Sequence, residues 1–321
     1  MKAAVVGENA LEIREVAQPR PKSSEVLVRV RPIGLNRAEL PGFYGSGHHR
    51  ATGSIPGIEW SGEVVECGAE VRGVKPGDRV MCAGQGGYAE YAVADYGRTA
   101  PIPDNNMSWE QAATYPSALG TMHDAIVTNA RLQRGETVMI QGASSGVGLM
   151  GLQIAKLLGA KLVIGTSTND ARRARLKEFG ADLVIDPGKA GWSEEVLKAT
   201  GGKGAEVIID MVSGPALNEN MKAASVLGRI VNVGRLGGGR VEFDCNLHAG
   251  KRIAYFGVTH RTRSIDELRA EVSNMRADLW VAVSAGKLSL PIDRVFELKD
   301  AEAAQAHMRT NAHFGKIVMA P

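Results

Sequence analysis

Several things are scarce in this chain. Its three cysteines, Cys67, Cys82 and Cys245, stand far apart and form no C-x-x-C pair among 321 residues. That spacing argues against a disulfide framework and reads as three reduced, structural thiols. Charge is nearly balanced, with 38 Lys and Arg against 35 Asp and Glu and a formal net charge of +3. The positive residues are dispersed, so neither nucleic acid nor a membrane surface is expected as a partner. No apolar run is long enough to cross a bilayer, and the first residues carry no charged start, apolar core and small-residue cleavage site. A cytoplasmic protein is expected. The four tryptophans, Trp60, Trp109, Trp192 and Trp280, read as core or interface residues.

What is present is enough apolar material, 44% of the residues, to bury the cores of about two domains. The most informative stretch is Glu136 to Gly159, ETVMIQGASSGVGLMGLQIAKLLG. Val138, Met139 and Ile140 suit a buried parallel strand, and Gly142 to Gly148 permits a sharp turn. Leu149, Leu152, Ile154, Ala155 and Leu158 then recur at helical spacing. A helix start of this kind presents free backbone N–H groups and the positive end of its dipole, which suits a dinucleotide pyrophosphate. Of the usual three fingerprint glycines only Gly148 is present; Ala143 and Ser145 hold the other two positions. Alone, such a turn also fits other folds of this architecture, methyltransferases among them.

The neighbouring sequence repeats the alternation. Strands are expected at Lys161 to Thr166, Leu183 to Ile185, Val207 to Asp210, Arg229 to Val233 and Ile253 to Phe256. Helices are expected at Asp170 to Phe179, Trp192 to Ala199 and Pro215 to Val226. This is an α/β pattern, a doubly wound parallel sheet. Before it the texture is β-rich: Glu25 to Arg31 alternates strictly, Gly62 to Glu66 and Arg79 to Cys82 read as strands, and Lys75-Pro76-Gly77-Asp78 is a turn. Helices are expected over Ser108 to Thr114 and from Thr121 to about Ala130, with a boundary near Pro116 to Gly120. After the sheet come a helix at Ile265 to Val283, another at Ala301 to Met308 and a strand at Lys316 to Met319. The division expected is 1–117, 118–257 and 258–321, the last piece packing back on the first.

Six segments together resemble the medium-chain dehydrogenase/reductase superfamily: Gly34 to Glu39, Pro56 to Gly62, Val74 to Val80, Gly87 to Tyr91, the Ser144 to Gly148 turn, and His313 to Val318. The resemblance covers essentially the whole chain and implies a GroES-like β-rich catalytic domain with a Rossmann domain. Zinc-binding members have a cysteine where this chain has Asn36 and a histidine where it has Ile58. An amide is a poor zinc ligand and an isoleucine is none, so no metal is expected. The pattern is similar to the zinc-independent quinone oxidoreductase, ζ-crystallin-like branch. That implies hydride transfer from NADPH to quinones or α,β-unsaturated carbonyl compounds, whose delocalised products need no Lewis acid. Enoyl-thioester reduction, or cofactor binding with little turnover, are the alternatives. The resemblance also implies a homodimer paired along the last strand of the sheet, Arg252 to Phe256.

Cofactor choice is read at the end of the second sheet strand, where Ser167 stands in place of the acidic residue of NAD-specific relatives. Hydroxyls accommodate a 2′-phosphate, and Arg172 or Arg173 is placed to pair with it, with Asp170 competing. Asn36 is the leading candidate at the reacting centre, bonding a nicotinamide ribose or the acceptor carbonyl, or else only holding a turn. Glu39 either orients Asn36 or caps local structure. Tyr44, in a glycine-rich segment, is a candidate proton donor by family position or a stacking residue. Backbone N–H groups of Ser145, Gly146 and Val147 are expected at the pyrophosphate. The family position of Thr121 puts it against the nicotinamide, with Gly234, Arg235, Phe256, Gly257 and Val258 flanking the ring. Lys316 either approaches the phosphates or lies on the surface. His48, His49 and Arg50 read as solvated loop residues, and His123 as a packed helix residue.

Overall fold

The computed structural model describes residues 1–40 and 51–321, and the chain divides into two compact units, Met1–Ser117 with Ser264–Pro321, and Ala118–Arg263. The first opens with strands β1 (Lys2–Val6), β2 (Leu11–Glu15), β3 (Glu25–Gly34), β4 (Glu59–Cys67), β5 (Arg79–Ala83), β6 (Tyr91–Asp95) and β7 (Thr99–Pro101), then a single helical turn α1 (Trp109–Ala112). α1 is started by a capping box, Ser108 and Gln111 satisfying each other's backbone N–H.

Helix α2 (Tyr115–His123) leads into the second unit. There follow β8 (Thr137–Gln141), α3 (Gly146–Leu157), β9 (Leu162–Thr166), α4 (Asp170–Arg175), β10 (Leu183–Ile185), α5 (Trp192–Ala199), β11 (Ala205–Asp210), α6 (Ala216–Ala223), β12 (Ala224–Asn232), α7 (Cys245–Lys251) and β13 (Ala254–Gly257). The chain returns to the first unit with α8 (Ile265–Ser284), β14 (Ile292–Glu297), α9 (Ala301–Arg309) and β15 (Lys316–Ala320).

In the first unit the main sheet runs β14-β15-β3-β4-β5-β7, with β6 also paired to β3. All of these pairs are antiparallel except β14 with β15. The alternation of Glu25 to Arg31 points Val26, Val28 and Val30 into a core around Trp60 and Tyr88, both fully buried. Trp60 lies flat against Gly84 and Gly87, where an added Cβ would stand 2.5 and 2.6 Å from its ring. Truncating such a buried indole costs about 3–5 kcal/mol.

The second unit is a six-stranded parallel sheet in the order β10-β9-β8-β11-β12-β13. The chain winds outward from β8 through β9 to β10, then crosses back and winds the other way through β11. β8 and β11 therefore flank the switch point, and a ligand crevice lies at the carboxyl ends of such strands.

Several expected elements differ in extent, and three of the differences have a plain local cause. The helix expected from Thr121 begins at Tyr115 instead and passes into a π-helix over Asp124–Asn129. There Ala130 N donates to Ala125 O at 2.9 Å, five residues back, and Asp124 is buried and paired with Arg263 at 2.6 Å. The helix expected to reach Val226 stops at Ala223, because Ala224 pairs with Ala205 as the start of β12. The last strand begins at Ala254, since Arg252 closes α7 in the left-handed region, φ 51°.

Candidate functional site

The second unit gathers most of the expected cofactor residues at the carboxyl ends of its strands. Gly142 leaves β8 with φ +77°, and Ser145 caps α3, its Oγ accepting from Gly148 N at 3.1 Å. Ser145, Gly146 and Val147 thus form the start of a twelve-residue helix, where first-turn N–H groups lack helical partners. Gly148 is needed for close approach: a Cβ there would meet Ala143 Cα and O at 2.7 Å each. Gly234, after β12, is equally constrained, with a Cβ 2.7 Å from Met211 O. Arg235 follows it, half-buried. At the end of β13, Phe256 is half-buried, Gly257 exposed, and Val258 tied back to β12 through its N–H and Asn232 O at 3.1 Å. Thr121 sits half-buried on α2.

Ser167, just past β9, lies beside the glycine turn, its Oγ 3.2 Å from Ser144 Oγ. Arg173 is engaged with Ser167 O at 2.8 Å, Asp170 and Asp186, so it braces this loop. The competition expected from Asp170 falls on Arg173. Arg172 lies in the first turn of α4, half-buried, its backbone N–H capped by Asn169.

Beneath the turn runs a buried polar chain for which the sequence carried no periodic or motif signal. Gly142 N donates to Thr166 Oγ1 at 3.0 Å, Thr166 Oγ1 donates to Gln141 Oε1, and Gln141 Nε2 donates to Asn220 Oδ1 at 3.1 Å. Next to it Asp210 Oδ1 accepts from Val212 N and Ser213 N at 2.9 and 2.8 Å, while Oδ2 has no hydrogen-bond partner. Burial pushes the Asp210 carboxyl above the ordinary carboxylate range, against the pull of those two N–H groups and the nearby Asn220 amide. These groups hold the ends of β8, β9 and β11 in register under the turn.

In the first unit, Asn36 follows β3 and is 8% exposed. Its backbone N–H donates to Glu39 Oε2 at 3.0 Å; Glu39 Oε1 accepts from Ile58 N at 2.8 Å and Oε2 from Tyr88 Oη at 2.6 Å. Glu39 therefore both caps the short turn Arg37–Glu39 and fixes the Asn36 backbone. The side chain of Asn36 donates to Glu59 Oε1 at 2.8 Å and to Gly34 O at 3.3 Å. Glu59, fully buried, also accepts from Ser117 N at 2.8 Å. Gly34 makes room for it, since a Cβ there would lie 2.7 Å from Glu59 Oε1.

Lys316 corrects the expectation of a phosphate-facing or surface lysine. It is 4% exposed, and its ammonium donates to Leu35 O at 2.9 Å, Asn36 Oδ1 at 3.0 Å and Glu59 Oε1 at 2.5 Å. The cause is strand pairing: β15 runs antiparallel to β3, with Val318 opposite Gly34, which sets Lys316 beside Leu35 and Asn36. All three of its protons are used. Tyr44, with His48, His49 and Arg50, lies outside the described residues. His123 is buried at the end of α2.

This donor set does not fit a divalent cation. The oxygen of Asn36 and one oxygen of Glu59 already meet an ammonium, and Ile58 offers no ligand. Among the described residues no three His, Cys, Asp or Glu side chains stand together as a metal site.

Two family models match, the alcohol dehydrogenase GroES-like domain over residues 22–104 and the zinc-binding dehydrogenase over residues 146–276. The mouse quinone oxidoreductase is 30% identical, the match covering 98% of this chain and 94% of that protein. The chain belongs to the quinone oxidoreductase-like proteins of the medium-chain dehydrogenase/reductase superfamily. It is also 29% identical to part of a phenolphthiocerol/phthiocerol polyketide synthase protein of Mycobacterium tuberculosis; 97% of this chain spans 14% of that much longer protein. Among solved structures, mycobacterial Rv1454c complexed with NADPH is similar at a TM-score of 0.89 and 26% identity, covering 100% of both chains. The two units are thus the GroES-like and Rossmann parts of this superfamily's fold.

Proposed function

We propose that this medium-chain dehydrogenase/reductase is a zinc-independent oxidoreductase that uses NADPH to reduce quinones or carbon–carbon double bonds conjugated with a carbonyl. The observation that carries the cofactor choice is Ser167 beside Ser144, at the place where a carboxylate would repel a 2′-phosphate. The similarity to a protein complexed with NADPH supports it. Arg172 pairs with the 2′-phosphate, and the N–H groups of Ser145, Gly146 and Val147 take the pyrophosphate. Thr121, Gly234, Arg235, Phe256, Gly257 and Val258 bound the nicotinamide, the two glycines leaving backbone room.

Bound NADPH supplies the hydride. The chain's own residues orient cofactor and acceptor, with Asn36 at the nicotinamide end, and a proton from solvent or from Tyr44 completes reduction to a hydroquinone or saturated carbonyl compound. The match to a polyketide synthase favours a second reading, reduction of the same conjugated bond in an enoyl thioester. Rates of NADPH oxidation with a simple quinone, a small enone and an enoyl thioester separate the readings. Quinone or enone turnover at least about tenfold faster than thioester turnover is the expected result. NADPH binding without oxidation by any of the three contradicts it.

A homodimer in the cytoplasm completes the proposal. β13 is one of the two edge strands of the parallel sheet among the described residues, β10 being the other; Tyr255 is exposed on β13, and a second copy pairing there would cover that edge. The three cysteines are free thiols, as a reducing compartment keeps them. No described helix is long and apolar enough to cross a membrane.

A further inference from the structure

We propose that the second unit holds a further ligand site, a cavity at the amino ends of β8, β9 and β11 that takes a phosphate group, at the edge of the sheet opposite the carboxyl-end crevice.

The cavity measures about 330 Å³, the size of a small-molecule site at its lower end. Thr137, Lys161, Thr200, Lys203, Gly204 and Glu206 line it. Thr137 opens β8, Lys161 precedes β9, and Thr200 to Gly204 form the turn from α5 into β11, on which Glu206 stands. Parallel pairing brings these amino ends to one edge, whereas Gln141 and Asp210 end the same two strands, β8 and β11, under the glycine turn.

Thr137 forms the floor. Strand alternation gives it the face of Met139, which packs with Trp192 and Val196 of α5. It is 0% exposed, and its hydroxyl has no hydrogen-bond partner among the described residues. A buried hydroxyl left so costs stability, and a ligand oxygen in the cavity satisfies it.

The remaining groups divide into spent and available. The N–H groups of Gly201, Gly202, Lys203 and Gly204 go to Lys198 O, Leu197 O, Thr200 O and Thr200 Oγ1, and the Thr200 hydroxyl donates to Val196 O at 2.8 Å. This turn is therefore no backbone anion nest, and the carbonyls that end α5 are engaged too. Glu206 accepts from Thr137 N at 2.8 Å and from Lys161 Nζ at 3.1 Å. Burial works against its charge, but those donors hold its carboxyl below the ordinary range. What is available is a set of donors: the Thr137 hydroxyl, the Lys203 ammonium on the exposed turn, and the protons of Lys161 not given to Glu206. They come from three walls, and two ammonium groups face one carboxylate. A tetrahedral phosphate meets three such donors with separate oxygens; a planar carboxylate has only two oxygens to offer.

The test is calorimetric titration with inorganic phosphate and with glycerol 3-phosphate, on protein saturated with NADP so that the phosphate-binding groups of the crevice are filled. Wild type should bind at least one probe with a Kd of about 1 mM or tighter. The tighter of the two tells whether the free ion or an organic phosphate is the ligand, and either upholds the site. Lys203→Glu, on an exposed turn, should weaken binding at least about tenfold by reversing a charge. Thr137→Val should weaken it about fivefold, the worth of one hydrogen bond, while its melting temperature equals or exceeds that of wild type because no hydroxyl is left unpaired. NADPH affinity should be unchanged in both variants. No binding of either probe by wild type up to about 10 mM overturns the proposal, and so does binding that Lys203→Glu leaves unchanged. Thr137→Val with undiminished binding would overturn the assignment of its hydroxyl to the ligand.

Discussion

Gly148 and Ala143 touch backbone to backbone: a methyl group on Gly148 would stand 2.7 Å from Ala143 Cα and O and 2.8 Å from its carbonyl carbon. None of those atoms is the end of a flexible side chain, so relief requires moving the helix α3 off the strand it follows. Gly148→Ala should therefore lower the melting temperature and weaken NADPH binding about tenfold or more, for a strain of about 1–3 kcal/mol. Unchanged melting and unchanged binding would show that the turn has slack.

Ser167→Asp puts a carboxylate beside the position assigned to the 2′-phosphate. The ratio of kcat/KM for NADPH over NADH should fall by at least about tenfold, mainly through the KM for NADPH. A constant ratio would count against that assignment. Arg173 is the bracing residue here, so Arg173→Ala should loosen the loop and raise KM for both cofactors, in contrast to the selective effect at Ser167.

The winding of this protein was legible because its signals are local. The apolar run Val138 to Ile140, the turn after it and the helical spacing from Leu149 to Leu158 occur as β8 and α3, and Trp192 to Ala199 is a helix over the same residues. Element ends were less legible where long-range pairing decides them, as at Ala224, which reads as helical but pairs with Ala205. In the candidate site, Ser145, Gly146, Val147 and Ser167 could be read from motif position. The role of Lys316 could not, because it depends on the pairing of β15 with β3, residues some 280 apart. Nor could the chain Thr166, Gln141, Asn220, whose members come from three separate elements. Polar residues at the ends of strands usually signal loops, and only the parallel register brings these together.

Asp210 gives a pH-dependent consequence. Burial raises its carboxyl pKa in the folded protein above the unfolded value. Its contribution to stability is then complete at pH below the unfolded pKa and is lost as pH rises through the folded one. Asn at this position cannot ionise. The melting temperature of Asp210→Asn relative to wild type should therefore rise as pH increases from about 4, the ordinary carboxylate value, through the raised folded-state pKa. A difference that stays flat or moves the other way would mean that Asp210 is ionised without penalty.

The thiols should differ in reactivity by burial. Cys82 is fully buried, its thiol pushed up to about 12 by that burial, against the weaker pull of Thr99 and Arg98. Cys67 is half-buried with its thiol also raised by burial, and Cys245 is exposed. A disulfide reagent on the native protein should titrate Cys245 rapidly, Cys67 slowly, and Cys82 only after denaturation. Rapid reaction at all three sites would contradict this burial.

Lys316 and Glu59 stand around Asn36 as a buried ion pair where a metal-dependent relative would need ligands, so hydride transfer is expected without a metal. The most direct measurement is the steady-state rate of NADPH oxidation by a simple quinone and a small enone, before and after exhaustive chelation, with metal content determined in parallel. At least one acceptor should turn over at a rate that metal removal leaves unchanged. Loss of turnover on chelation with recovery on adding zinc, or no turnover of either acceptor, would contradict it.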